Sequence, residues 1–592
     1  MKKIYACLAI VAIASFTGCK KFLEEKVISK VSYQLYETPE GVEGALTAAY
    51  NNLRLAVNGE RALTFSDAGT DLFTAGSDGD LSFNQYLATL SSLNGDVSEY
   101  WDYHYFGISQ CNVTLNYLPK VVMDEGRKKV VEAEAKFLRS FYYFELVQHF
   151  GNVPLVLTAI DKVKTDFKRS PVKDIYATII PDMVTAVEQL PIMPAEQGRA
   201  TKAAAAHLLA KIYLARGSAV SAEQKAIRGS KATDIDSVIF YAGKVVRQEM
   251  GAYSLVPDYA RLFDITNQVN PEVVFAVQFT TNTLNNGSGN NMHLYHVPQY
   301  DAVNTKILQR TTEYGRPYRR VRPTPYVYTG LFGATRKYDS RFAKSFVWAY
   351  IATQAATGIT TTAGNKVDVK VGDTAIWFTP TLYATQAEQD AATQENKRFP
   401  YFFPLNFYIP FSRNNIFPGL KKWLDKTRVT TNDTNGSKDW MVFRYAETLL
   451  LLAEAYGRKN DFDNAAKYIN EVRTRAAYKD GEMKTTQYWT FEGGSYADRT
   501  TGTVPQMQVT AAQISTGFVD FILEERGREM LGELNRWEDL DRCEKLVERV
   551  KLYNPDAGNI RNFHVLRPIP QTHIDRLIPK GPIEEEQNIG YY

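Results

Sequence analysis

Cysteine and histidine are scarce in this chain, at four and seven residues of 592. Cys7 and Cys19 lie near the start, which leaves Cys111 and Cys543 for the body. Two cysteines make no disulfide framework, and a body of this size needs no covalent staple. Both are read as buried free thiols. The histidines show no metal-ligand spacing: His293 and His296 stand three apart in a polar stretch, without an HExxH helix or neighbouring cysteines. A glycine-rich phosphate loop and a Gly-x-Ser-x-Gly elbow are also missing. No metal and no cofactor is therefore expected. Charge of one sign is lacking too, since the formal balance is only +3. That near-neutrality gives no reason to expect nucleic acid as a partner. Long hydrophobic runs are absent after the N-terminus, so no helix is expected to span a bilayer.

What is present begins at residue 1. Lys2 and Lys3 precede an apolar run from Ile4 to Ser15, the length of a signal h-region and too short for a membrane span. Phe16-Thr17-Gly18-Cys19 closes it as a relaxed lipobox, with Phe16 where leucine is preferred. The reading is a lipoprotein signal over residues 1–18, cut before Cys19, with lipid on that cysteine holding the protein to a membrane. Several acyl chains anchor firmly where one is marginal. The mature chain has 592 − 18 = 574 residues, and its formal charge falls to +1 because Lys2 and Lys3 leave.

Aromatic residues are abundant, at 36 Tyr, 31 Phe and 7 Trp. Many sit in polar stretches, where amphipathic rings either stack on sugar faces and peptides or pin loops. Helical periodicity organises the rest. Ala135, Leu138, Tyr142, Leu146 and Phe150 recur at spacings of three or four, and Gly151 and Pro154 end the run. Leu208-Leu209-Ala210-Lys211-Ile212-Tyr213, within Thr201–Gly217, returns as Leu451-Leu452-Ala453-Glu454-Ala455-Tyr456, within Arg444–Gly457. A second helix is expected after each, at Ile235–Arg247 and Asp463–Arg475. Alanines inside, an aromatic one turn on and a helical return describe tetratricopeptide-like pairs.

From about 255 to 438 the periodicity fades and Gly, Thr, Asn and Pro become frequent. Short β pieces are expected there at Val273–Thr280 and Phe407–Phe411. Loops on a rigid frame are where binding residues concentrate. Candidate ligand-binding rings in this insertion are Tyr295, Tyr300, Trp348 and Trp377. A second loop-rich stretch, 58–98, supplies Asp67, Asp71, Asn84 and Tyr86, beside Asp78 and Asp80. The acids and amides of 67–84 lack the EF-hand order of ligands, so calcium is not expected. Trp101 is read as core, opening a helix.

A series of blocks spans nearly the whole mature chain. They include Phe22-Leu23-Glu24-Glu25, Thr38-Pro39-Glu40-Gly41, Ala135-Lys136-Phe137-Leu138-Arg139 and Phe150-Gly151-Asn152-Val153-Pro154-Leu155. Gly198–Ala204, Arg444-Tyr445-Ala446-Glu447, Asn470–Ala476, Glu524-Glu525-Arg526 with Arg536–Leu540, and Pro568-Ile569-Pro570 follow. Gln587-Asn588-Ile589-Gly590-Tyr591 closes the series, with Ile589 where proline is usual. In this order and spacing the chain resembles the SusD/RagB family of Bacteroidota outer-membrane nutrient-binding lipoproteins.

The resemblance implies a mainly α fold, in which tetratricopeptide-like helix pairs form a right-handed scaffold carrying an irregular, loop-rich insertion with short strands. The expected division is one SusD-like domain over 19–592, scaffold at about 19–254 and 439–592 and ligand-binding insertion at about 255–438. It also implies a non-enzymatic role: binding oligosaccharide, or in some members peptide, and delivering it to a SusC-like TonB-dependent β-barrel. The family's site is implied between the loops after about residue 65 and the insertion. The implied location is the outer membrane, facing the cell exterior. A periplasmic orientation stays open, because Lys20-Lys21 precede the acidic pair Glu24-Glu25.

Two alternatives are an all-α surface glycoside hydrolase and a tetratricopeptide-like scaffold that binds protein alone. The hydrolase reading would look to Glu524, Glu525 and Glu529. An acid and a nucleophile must face each other across a bond, about 5 Å or more apart, whereas Glu525 and Glu529 share one helix amid Arg526, Arg528 and Arg536. Arginines would keep both carboxylates ionised, so a structural ion network is expected.

Overall fold

The computed structural model describes residues 33–482 and 502–592. Cys19, the signal segment and the Phe22–Glu25 block lie outside the described residues. Cys111 and Cys543 are buried and free, as expected.

The first half is a run of helices, most begun by a side-chain cap. Thr38 caps α1 (Pro39–Ala56) and Pro39 fills its first position, where a missing N–H costs nothing. A short α2 (Glu60–Ser66) follows, then α3 (Gly95–Tyr117) under Asn94 and α4 (Glu125–Phe150) under Asp124. Gly151, at φ +67°, ends α4 at the expected place. Next come α5 (Val172–Gln189), α6 (Lys202–Gly217) capped by Thr201, and α7 (Asp234–Val246). After a long excursion the helices resume as α8 (Tyr445–Arg458), α9 (Phe462–Ala476), α10 (Phe518–Glu529) and α11 (Arg536–Arg542). Trp101 lies two turns inside α3 rather than at its start, and it is buried as expected.

From α3 to α9 each helix packs on the next, α10 packs back on α8, and α7 packs directly on α8 although 198 residues separate them (445 − 246 − 1). The scaffold is therefore continuous across the excursion. The two Leu-Leu-Ala-x-x-Tyr copies prove equivalent in space. Tyr213 of α6 stacks on Tyr241 of α7 at 6.0 Å and 9°, and Tyr456 of α8 stacks on Tyr468 of α9 at 5.8 Å and 15°. Ala210, Leu214, Val238, Ala242, Leu451, Leu452 and Ala455 join the two pairs in one apolar seam.

The excursion is clasped at its base by an antiparallel strand pair, Val273–Val277 against Trp440–Arg444. Within it, Thr374–Phe378 lies between Ala349–Ile351 and Tyr401–Phe403, and Val321–Pro323 pairs back to Phe73–Ala75 of the first half. The expected strand at Val273–Thr280 is present but shorter. Phe407–Phe411 is not a strand: Leu405–Tyr408 is one helical turn and Phe411–Arg413 a 3₁₀ turn. Pro404 and Pro410 start those turns, and Leu405 and Tyr408, three apart, are the residues buried. Apolar residues alternating through a proline-bounded segment imitate a strand over so short a window.

A buried ion network ties the excursion to the helices. Arg341 binds Asp339, Glu525 and Glu529 at 2.7, 2.9 and 2.9 Å, and Arg444 binds Glu272, Glu529 and Glu533 at 2.9, 2.6 and 2.7 Å. Arg473 and Arg475 add further pairs to Glu525 and Glu529.

Candidate functional site

The structure places all eight candidate ligand residues inside the protein. Asp71 is fully buried and gripped by Arg536 (2.6 Å) and Arg549 (2.9 Å). Burial opposes its ionisation, and the two guanidinium groups outweigh that and hold its carboxyl below the usual range. Asp67 is buried too, where desolvation and the nearby Glu538 push it up to about 7. Asn84 donates to the Asp80 carbonyl at 2.7 Å and Tyr86 to the Gly69 carbonyl at 2.8 Å. The 67–86 stretch is thus folded inward, held by Asn554 through the Thr70 and Phe73 carbonyls.

The insertion's rings are spent on packing as well. Tyr300 donates to the Gly315 carbonyl at 3.0 Å and stacks on Tyr350 at 4.6 Å. Trp348 packs among Tyr328, Phe342 and Phe346, and Trp377 between Phe399 and Phe402. Tyr295 is 5% exposed and is the one candidate among the eight that lines the cleft described next.

That cleft, of about 150 Å³, lies between the α1–α2 turn, the first two turns of α3 and residues 288–295. Its wall is polar and mostly pre-ordered. Arg61 holds Asp96 at 2.9 Å and Glu99 at 2.7 Å. Arg320 holds Glu60 at 2.6 Å and donates to the Asp78 carbonyl at 2.9 Å. Arg54 donates to the carbonyls of Gln278 and Asn285, both at 3.0 Å. Burial lifts Asp96 to about 6 against the pull of Arg61. Near this wall, half-buried Tyr318 packs 6.4 Å from Tyr295 and within 5.4 Å of the guanidinium carbons of Arg316 and Arg320. Guanidinium groups and fixed amides beside a tyrosine ring suit a ligand that offers hydroxyls and a flat apolar face.

A second, larger groove of about 340 Å³ runs along α3, walled by Trp101, Tyr105, Phe167, His573 and Arg576. It was not anticipated, because its walls come from positions 101, 167 and 573 of the sequence. The cleft residues were missed for a related reason, although Gly315-Arg316-Pro317-Tyr318-Arg319-Arg320, an aromatic among cations, was a legible signal.

Catalytic carboxylates are not found where the hydrolase alternative needs them. Burial alone would raise Glu525, but Arg473, Arg341 and Arg528 hold it well below the ordinary range. Glu529 is lowered likewise by Arg475, Arg444 and Arg341 against its burial. Neither can give a proton near neutrality. His293 and His296 are buried and lowered by desolvation to about 4 and about 3; His293 meets the Thr434 carbonyl and His296 lies against Phe73. Among the described residues, Glu145, His149 and Glu538 bring metal-ligand atoms together.

The sequence matches the SusD family over residues 271–591, and a family described as starch-binding associating with outer membrane over residues 21–214. The chain belongs to the SusD family. SusD-like protein P2 of Formosa agariphila is 25% identical over 597 aligned positions, covering 98% of this chain and all of the relative. A laminarin binding SusD-like protein superposes with a TM-score of 0.63 at 22% identity, over 94% of this chain and 100% of its own. Surface glycan-binding protein A from Bacteroides thetaiotaomicron, solved in complex with laminarihexaose, gives 0.60 at 18% identity, over 93% and 99%. Among the described residues no helix is long and apolar enough to cross a membrane.

Proposed function

We propose that this protein is a lipid-anchored, cell-surface binder of nutrient oligosaccharide that hands its ligand to a SusC-like TonB-dependent transporter. Family membership over more than half the chain, with an end-to-end match to SusD-like relatives, is the observation that carries the reading. Glycan as ligand is supported by the laminarihexaose complex of a structural neighbour and by the polar, tyrosine-flanked cleft. Attachment rests on Cys19 at the end of the signal-like segment. A binding role without catalysis is supported by the arginine-locked state of Glu525 and Glu529. Modest affinity suits a protein that must release its ligand onward.

The test is a binding screen of the chain from Lys20 onward against polysaccharides, oligosaccharides and peptides, with the products examined for cleavage. Retention of at least one glycan, uncut, is expected, together with a tenfold or greater loss in Tyr318→Ala and Arg61→Ala. Retention of peptides alone would move the ligand class. Turnover of a glycan would defeat the binding-protein reading. Co-purification of a large β-barrel with the tagged lipoprotein from its own outer membrane tests the partner.

A further inference from the structure

Glu145 and His149 stand one turn apart on α4, so both side chains leave the same face of the helix. Glu538, on α11, meets that face from the C-terminal part of the chain. One ligand-type atom from each of the three lies within 4.8 Å of the other two. Acidic clusters are common without ions, so the imidazole decides the matter. His149 is fully buried, and neither ring nitrogen has a hydrogen-bond partner. Its Nε2 is 3.1 Å from Glu538 Oε1 and so faces the carboxylates, but without the alignment of a hydrogen bond. Glu538 Oε2 is unpartnered too, while its Oε1 accepts from Ser66 Oγ at 3.1 Å. Glu145 Oε2 accepts a long bond, 3.4 Å, from the Tyr100 hydroxyl.

The two carboxylates are part-buried, and burial with their mutual repulsion favours the protonated forms; a cation binding between them would displace those protons. Lys211 lines both small cavities beside the cluster, but its ammonium already donates to Glu447 Oε1 at 2.9 Å and Asn535 Oδ1 at 2.8 Å. Those cavities, of about 40 and 30 Å³, are each large enough for a water.

We propose that Glu145, His149 and Glu538 form a site for a divalent transition-metal ion of the Zn²⁺ class. One imidazole nitrogen and two carboxylates would hold it, with water completing the shell. One nitrogen and two carboxylate oxygens suit a borderline ion, and the charges then cancel around a neutral imidazole. Ca²⁺ takes six to eight oxygens, more than this cluster supplies. Ligands of a tetrahedral zinc stand about 3.4 Å apart, so the three side chains close slightly around the ion. The site would pin α4 to α11, 389 residues later (538 − 149), as a structural clamp. An HExxH search passes over it, because its helix carries Glu-x-x-x-His and its third ligand is remote.

The test uses the full-length protein, purified in detergent without a polyhistidine tag, stripped with chelator and titrated with ZnCl₂ by calorimetry. The expected result is one Zn²⁺ per chain, undisturbed by equal CaCl₂, and a Tm raised by about 2 °C at hundredfold excess over Kd. Glu538→Gln, nearly isosteric, should keep the helical circular dichroism and weaken zinc binding by roughly tenfold or more. Crystals of the unaltered protein soaked in ZnCl₂ read the site independently of any variant, through an anomalous peak among the three residues. No zinc uptake, equal uptake by the folded Glu538→Gln protein, or an anomalous peak only elsewhere would overturn the proposal.

Discussion

Arg341 binds three carboxylates, Asp339, Glu525 and Glu529, none of them with access to water, and shares the last two with other arginines. Removing it strands charge in the interior, a loss of about 3–5 kcal/mol for a broken buried pair. Arg341→Ala should therefore lower stability by roughly that amount in denaturant titrations, where a surface arginine such as Arg247 changes it by under about 1 kcal/mol. Buried carboxylates held by arginines set the acid limit. Glu525, Glu529 and Asp71 titrate below their unfolded values, so their contribution is present above about pH 4 and is lost as pH falls toward their folded values. Tm should drop steeply below about pH 4; a Tm that rose as pH fell below about 4 would contradict this. At this scale the sequence was half legible. Arginines flanking Glu525 and Glu529 announced an ion network. Tyr300, Trp348 and Trp377 stood as candidates for stacking or for loop packing, because composition reports only a polar neighbourhood in sequence. Their burial is decided by rings such as Tyr350, Phe342 and Phe399, which other segments bring.

At the scale of elements, helices were the readable part. Their period of three to four, Thr201 as cap and Gly151 as stop are local signals, and local signals survive folding. Loop-borne strands depend on remote partners, as Val321–Pro323 on Phe73–Ala75, and were largely invisible. Two glycines show how packing overrides propensity. A Cβ on Gly457 in α8 would stand 2.0 Å from the Phe518 ring, whereas one on Gly44 in α1 would meet nothing within 4 Å. Alanine gains about 1 kcal/mol of helix propensity at either place, and overpacking a core costs about 1–3 kcal/mol. Gly44→Ala should raise Tm slightly, and Gly457→Ala should lower it. Equal behaviour of the two would mean that the α8–α10 contact is looser than the geometry says.

At the largest scale the helical array is interrupted between α7 and α8 without losing its stacking there. That arrangement lets a long, irregular excursion be added and still be held, by the strand clasp at 273–277 and 440–444 and by Arg341 and Arg444. The polar cleft forms where this excursion meets α1, α2 and α3, so it draws on residues near 54–61, 99–103 and 288–295. Which side chains wall it follows only from the packing. The most direct test of the central claim is calorimetric titration of the chain from Lys20 onward with the glycan retained in the screen, alongside Tyr318→Ala and Arg61→Ala. The account predicts saturable one-site binding of uncleaved glycan, weakened tenfold or more in both variants while their Tm stays near that of the parent. Binding left intact in both, with a loss instead in variants of the Trp101–Arg576 groove, would contradict the placement of the site. Absence of any glycan binding would contradict the function.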